Sequence, residues 1–380
     1  MTSEERREGR YRRRKAAREN RRLEKLEEAL DYDRVFTFIH LYKSAQKCFK
    51  GVCWKASVQA YKAKCGINVA RRTREMRSGK WRQKRSPDFF IRERGHERQI
   101  HSVHIEDRVP EKCNSTYSLK EVLHRSLIRD NFASQAGKGT DLARKRLKCQ
   151  LERHIRRHGF TGGILLFDFK AFFDSTPHEL VQWVMERNYS DRRMTELNMR
   201  IVRKGGREKG MVLGSENSQD FAISCPNSLD HFVKEKLRAE GYGRYMDDGW
   251  VIHPDWNELK AMYSAIRAFA EGLGFRLNER KCRLVRFGKP FAMLKRKYSF
   301  TESGGIIQRP VRQSVIRERR KLKRLHKRML KGDLTAEAGL DSVKAWEASL
   351  KGCRCAKIRR SIEGLYRELY ISQWLKEAEV

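Results

Sequence analysis

Residues 244–252 read RYMDDGWVI and set two neighbouring carboxylates, Asp247 and Asp248, among aromatic and apolar residues. The segment WVI resumes a strand after Gly249, so strand, tight turn and strand predict a β-hairpin with both acids at its tip. Like charges that close repel, and burial makes each of them more costly. A second constraint lies far upstream. The run GGILLF (162–167) is unbroken and apolar, as in a strand buried on both faces, and it ends at Asp168.

If these two elements are neighbours in one sheet, three carboxylates converge, and only a cation makes that arrangement stable. Hard oxygen donors suit Mg²⁺, or Mn²⁺. Two such ions about 3.5–4 Å apart activate an attacking 3′-hydroxyl and stabilise a leaving pyrophosphate. The plain alternative is a solvated acidic turn, the common fate of adjacent acids in loops.

The rest of the chain has the opposite charge. Lys and Arg total 85 against 48 Asp and Glu, a formal net charge of +37 over 380 residues. That excess points to a polyanionic partner, and nucleic acid is favoured over a membrane surface. No apolar run approaches the roughly 18–20 residues that span a bilayer. The N-terminal MTSEERREGRYRRRK has no apolar signal core. Nine cysteines, none in a CxxC pair, read as reduced thiols of a cytoplasmic protein. His154 and His158 share a helix face, but with no third ligand apparent a basic solvated helix is the better reading.

Residues 3–31 are charged on all sides, as in a solvated helix or an arm that orders on a polyanion. Helical spacing of apolar residues begins at Val35. DFFIRERGHERQIHSVHI (88–105) predicts a hairpin turning near Gly95. Ser118-Leu-Lys-Glu121 has the pattern of a capping box opening a helix. Thr176-Pro-His-Glu179 predicts another helix start, with Thr176 as the cap, and Asp255-Trp-Asn-Glu258 repeats that pattern. Short strands are expected at FRLN (275–278), at CRLVRF (282–287), and in a hairpin around Ser303-Gly-Gly305. Beyond Arg309 the chain reads as helical and strongly basic.

Several of these segments, taken in order, resemble bacterial and phage reverse transcriptases. YMDD (245–248) looks like that family's catalytic hairpin, and FDFKAFFDS (167–175) like its first catalytic strand. DNFASQAGKGT, GMVLGSENSQ and LNERKC fall in the family's order, and the likeness covers roughly residues 35–375. The resemblance implies an α+β right-hand polymerase with an antiparallel-sheet palm, α/β fingers and a helical thumb. Its divisions would be a basic arm at 1–34, fingers at 35–160, palm at 161–308 and thumb at 309–380.

The same resemblance implies roles. Asp168, Asp247 and Asp248 would bind two Mg²⁺ ions, and Lys281 would protonate the leaving pyrophosphate. Phe173 would be a steric gate against the 2′-hydroxyl, with core packing as its plain alternative. Arg108 would contact the triphosphate of the dNTP, while Gly214 and Gln219 would line the pocket beside the templating base. The partners would be a template RNA and its nascent cDNA. The pattern LGSENSQ (213–219) is similar to that of diversity-generating retroelement enzymes, which copy a template RNA with errors at adenines and work with a small basic accessory protein. A phage-defence enzyme copying a dedicated noncoding RNA, and an RNA-binding maturase or chaperone, are the alternatives. The sequence departs from the family in FAMLKRKYSF (291–300), where an apolar primer grip is usual. It departs again in DRVPEK (107–112), where Pro110 is expected to end its element early. The arginine-rich arm exceeds the needs of polymerisation and suggests a grip on structured RNA.

Overall fold

The computed structural model describes residues 2–27, 31–84, 88–93, 96–203 and 208–371. Two compact units are present. The first comprises 1–146, 165–253 and 257–283, and the second 147–164, 254–256 and 284–380. The chain combines helices with antiparallel sheets, and none of the helices among the described residues is long and apolar enough to cross a membrane.

The first unit opens with the helix α1 (Ser3–Glu27), followed by the amphipathic helix Phe38–Phe49. The latter buries Leu41, Ala45, Cys48 and Phe49, and it packs with the helices Cys65–Arg77 and Ile105–Asn114. Strands β1 (Asp88–Glu93) and β2 (His96–His101) pair antiparallel in the register Asp88 to His101, as the alternation implied. The turn near Gly95 lies outside the described residues.

Pro110 does not end its element. It sits inside the helix Ile105–Asn114, where it forfeits its own backbone donor. Burial of Ile105, Val109 and Cys113 on one face holds the helix through it. The buried Asp107 and Glu111 are engaged as well, by the Lys84 amide at 2.7 Å and by Ser215 at 2.8 Å. Ser118 does not open a helix either. It lies in a π-helical turn, Ser115–Leu119, that continues the preceding helix, and its hydroxyl shares a 2.8 Å hydrogen bond with the Tyr189 hydroxyl. A buried tertiary partner outcompeted the local cap.

The central strands of this unit are β3 (Gly163–Asp168), β4 (Gly241–Tyr245) and β5 (Asp248–His253), in the order β4–β5–β3. Every residue of β3 is buried. Two glycines let these strands approach each other. A Cβ on Gly249 would stand 2.1 Å from the Phe167 ring, and one on Gly243 would stand 2.3 Å from Trp250, its neighbour across the hairpin. The helix after β3 begins at His178, one residue later than expected, because Thr176 donates its hydroxyl to the Phe172 carbonyl at 2.8 Å instead of capping. Helix Trp256–Gly272 starts directly after Asp255, as its pattern implied. FRLN forms a single bridge, Phe169 to Leu277, and not a strand.

In the second unit β6 (Arg283–Arg286) runs beside the first residues of β3, where a Cβ on Gly163 would lie 2.4 Å from the Val285 carbonyl. Strands β7 (Phe291–Met293), β8 (Arg296–Phe300) and β9 (Ile306–Pro310) form an antiparallel sheet. Its second hairpin turns around Ser303–Gly305. Helices Arg312–Met329, Glu337–Ala348 and Ala356–Tyr370 close on a core of Leu322, Val343, Trp346, Leu350 and Ile362.

Replacing Gly249 with Ala forces a methyl group into the Phe167 ring. The expected cost is about 1–3 kcal/mol of stability, the usual range for overpacking. Urea unfolding of the variant beside the parent checks this, and an unchanged midpoint would mean that β3 and β5 tolerate a wider spacing.

Candidate active site

The acids meet because two strand ends are fastened together. The Phe169 amide, just past β3, donates to the Asp247 carbonyl at 3.1 Å. Across the hairpin Tyr245 faces Asp248, which leaves Met246 and Asp247 as the two turn residues. A two-residue turn between twisted strands requires positive φ. Met246 supplies it at +54°, a strained position for a side chain with a Cβ.

Arg244 holds that turn in place. Its guanidinium is fully buried, donates to the Met246 carbonyl at 2.9 Å, and grips both oxygens of the buried Asp230 at 2.8 and 2.7 Å. It also reaches the Ile223 carbonyl at 2.8 Å, while the Tyr242 hydroxyl donates to Asp230 at 2.6 Å. Burial opposes the charge on Arg244, but the Asp230 carboxylate outweighs it and raises the guanidinium pKa. Removing one partner of such a pair typically costs about 3–5 kcal/mol, because the other is left buried and uncompensated. The DNFASQ segment joins the same assembly. Asn131 bridges to Arg244 in parallel fashion, and Phe132 stacks on Trp250 at 5.9 Å.

Asp168 is 4% exposed, and its carboxyl lies within hydrogen-bonding range of Asp248. Burial first, then the charges of Asp247 and Asp168, push the Asp248 carboxyl up to about 7, with Lys281 pulling the other way. Lys281 donates to Asp168 Oδ2 at 2.8 Å. Partial burial opposes its charge, but the hydrogen bond and the three carboxylates prevail and raise its pKa. Asn278 positions this lysine. Its backbone N–H donates to the Asp168 carbonyl at 2.8 Å, its side chain donates to Asp168 Oδ1 at 3.3 Å, and its carbonyl accepts from the Lys281 amide at 2.9 Å. Asn278 also lines a cleft of about 1070 Å³ with the cations Lys170, Arg276 and Arg280.

Among the described residues no group of three His, Cys, Asp or Glu side chains is arranged to hold a metal ion as it stands. The chemistry of the acids nevertheless fits a hard divalent cation, since the donors are all oxygen and burial together with the neighbouring charges of Asp247 and Asp168 pushes the Asp248 carboxyl up to about 7.

The other expected site residues are spread over neighbouring elements. Phe172 takes the core position, stacked on Phe169 at 5.2 Å, whereas Phe173 is half-buried. The Phe173 carbonyl accepts from the Met211 amide at 2.7 Å, and Gly210 (φ +90°) donates to the Thr176 carbonyl at 2.8 Å. This pairing fixes the start of GMVLGSENSQ against the segment that carries Phe173. Gly214 is exposed at φ +116°, two residues before the helix Glu216–Ser224 begins. Gln219 is exposed on that helix and accepts from the Ser134 hydroxyl at 3.2 Å. Arg108 is exposed on the helix Ile105–Asn114. The structure thus gathers Asp168, Asp247, Asp248 and Lys281 into one cluster, while Arg108, Gly214 and Gln219 stand on surrounding helices and loops. Asn278 and Arg244 went unrecognised in the sequence. Arg244 carried a signal, a lone cation in an apolar strand pattern; Asp230, its partner fourteen positions earlier, carried none.

Residues 103–321 match the family described as reverse transcriptase (RNA-dependent DNA polymerase). No curated protein matches the chain. Among solved structures it is similar to telomerase from Candida albicans in complex with a TWJ fragment of telomeric RNA, at 13% identity and a TM-score of 0.44, over 76% of this chain and 60% of that one. It is also similar to apo telomerase from Candida tropicalis truncated from its C-terminal domain. That match has 13% identity and a TM-score of 0.44, over 59% of this chain and 55% of the other. The chain therefore spans less than two thirds of the length of either structure.

Between its ordinary value and about 7, Asp248 holds a proton in the folded protein that the unfolded chain has released. Without divalent ions its contribution to stability therefore falls as pH rises from about 4 to 7, by at most about 1.4 kcal/mol per pH unit. Asp248→Asn should flatten that part of the profile, measured by denaturant unfolding across pH. Parallel profiles for the two proteins would show that the acids do not feel one another.

Proposed function

This chain belongs to the reverse transcriptase (RNA-dependent DNA polymerase) family, matched over more than half its length, and from that membership we propose that it copies a cognate template RNA into cDNA. The enzyme class is RNA-directed DNA polymerase, a nucleotidyltransferase, and the fold is the α+β polymerase fold. The observation that carries the finer reading is the meeting of Asp168, Asp247 and Asp248 beside Lys281. The proposed division is an arm at 1–34, fingers at 35–160, a palm at 161–308 and a thumb at 309–380.

Asp168, Asp247 and Asp248 would hold two Mg²⁺ ions, which when bound supply an activated 3′-hydroxyl and a stabilised pyrophosphate. Lys281, kept cationic by its acidic neighbours, gives its proton to the leaving pyrophosphate oxygen. Phe173 limits room at the sugar C2′ and favours dNTPs, since Phe172 already satisfies the core. The fork of Arg108 suits the triphosphate oxygens. Gly214 and Gln219 flank the base pair being formed.

LGSENSQ supports a diversity-generating retroelement role, with a small basic accessory protein as a further partner. Sequenced cDNA made on a defined RNA should then show errors concentrated opposite template adenines. An even error spectrum would remove that role while leaving the polymerase intact.

Asp247→Asn should reduce primer extension with dNTPs and Mg²⁺ by at least about 100-fold, the scale expected when electrostatic stabilisation of the reaction is lost. RNA affinity in a filter assay should stay within about 2-fold, since the basic surfaces and not the acids carry phosphate contacts. Loss of RNA binding along with synthesis would count against this division of labour.

A further inference from the structure

Among the described residues, helix α1 is held through one stripe of residues, and the other stripe is exposed. On the held side Arg18 ion-pairs with Glu235, Glu19 with Arg187, and Glu8 with Lys236 at 3.6 Å. Arg22 donates to the Arg187 carbonyl, and Lys236 lies 5.7 Å over the Tyr11 ring. The Ser190 hydroxyl donates to the Leu26 carbonyl at 3.4 Å. Positions 8, 11, 18, 19, 22 and 26 recur at helical spacing, so these contacts define one face. That face spends all its interactions on the first unit.

The opposite face carries Arg6, Arg10, Arg13 and Arg21, with Arg14 at its edge, all exposed. From Arg6 to Arg21 the row runs roughly 22 Å along the helix at 1.5 Å per residue. From Gly9 to Arg18 the sequence contains no acid, so nothing on the helix itself neutralises the middle of the row. Five like charges along one face are mutually repulsive, and an anionic partner relieves them. A membrane surface fits poorly, because an interfacial helix needs an apolar face and this row offers only arginines and Ala17. Arginine forks suit phosphate oxygens, which they contact in pairs. The polar clasp fixes the row before binding, which lowers the ordering cost that a free arm would incur.

We propose that the outer face of α1 is a phosphate-binding rail for a folded, double-helical part of the template RNA, separate from the strand being copied. This rests on the reading of the chain as an enzyme that copies RNA. The occupant is RNA because the template reaches this enzyme as RNA, and a row of fixed cations matches a fixed row of phosphates better than a flexible strand.

The test uses the full chain with Arg10→Gln, Arg13→Gln and Arg14→Gln together. The probes are an RNA hairpin with a single-stranded tail, the tail alone, and a DNA hairpin of the same sequence. The substituted side chains are exposed, and circular dichroism confirms that the variant keeps its helix content. For the RNA hairpin, the slope of log affinity against log salt should become shallower by about 3, close to one per lost phosphate contact. Affinity at moderate salt should fall at least about 10-fold. Binding of the tail alone, and primer extension on it, should change less than about 2-fold. Lysines at the three positions should restore most of the slope. An unchanged slope, an equal loss on the tail, or equally tight binding of the DNA hairpin would each overturn the proposal. The slope needs no synthesis, so a parent protein that bound the hairpin yet failed to extend primers would refute the polymerase reading and leave the rail standing.

Discussion

Repulsion among three carboxylates is the constraint around which the first unit is arranged. Asp168 ends a strand buried along its whole length, and the Phe169 amide ties that end to the hairpin turn beside Asp247. Nothing local favours such a cluster, and burial together with the charges of Asp247 and Asp168 raises the Asp248 carboxyl. Its persistence depends on rigid surroundings: the glycines that let Phe167 and Trp250 lie flat against the hairpin, the buried Arg244–Asp230 pair under the turn, and Asn278 holding Lys281 against Asp168.

The remaining charge of the chain answers a different need. The acids form a small, inward-facing group, whereas the cations are spread over surfaces. Negative and positive charge are thereby separated in space. Arginine serves both purposes by different means. Buried, as Arg244, it makes four oxygen contacts at once through a rigid fork; exposed, as along α1, the same group faces solvent. Burial and pairing decide which role a given arginine has.

Local pattern reading succeeded where burial and turn geometry are set by near neighbours, and failed where a distant partner intervened. β3, the acidic hairpin, the hairpin at 88–101 and the C-terminal helices were all legible. Ser118 and Thr176 misled because each hydroxyl found a stronger partner, Tyr189 and the Phe172 carbonyl, than the helix end it was expected to cap. Pro110 misled because packing of the helix against its neighbours exceeded the loss of one backbone donor. FRLN misled because a pleated pattern needs a partner strand along its length, and only Leu277 has one.

The order of the clustered groups, an acid after an apolar run, an acid pair at a tight turn and a lysine after LNER, was written in the sequence alone, as was the chain's excess of positive charge. Those properties are local or additive, so no folding was needed to read them. The tertiary structure alone decided that Lys281 is the cation beside Asp168, that Arg244 carries the turn through Asp230, that Phe172 and not Phe173 fills the core, and which face of α1 is left bare. Each of these is a pairing between residues far apart along the chain, and such pairings arise only when the fold brings them within a few ångströms.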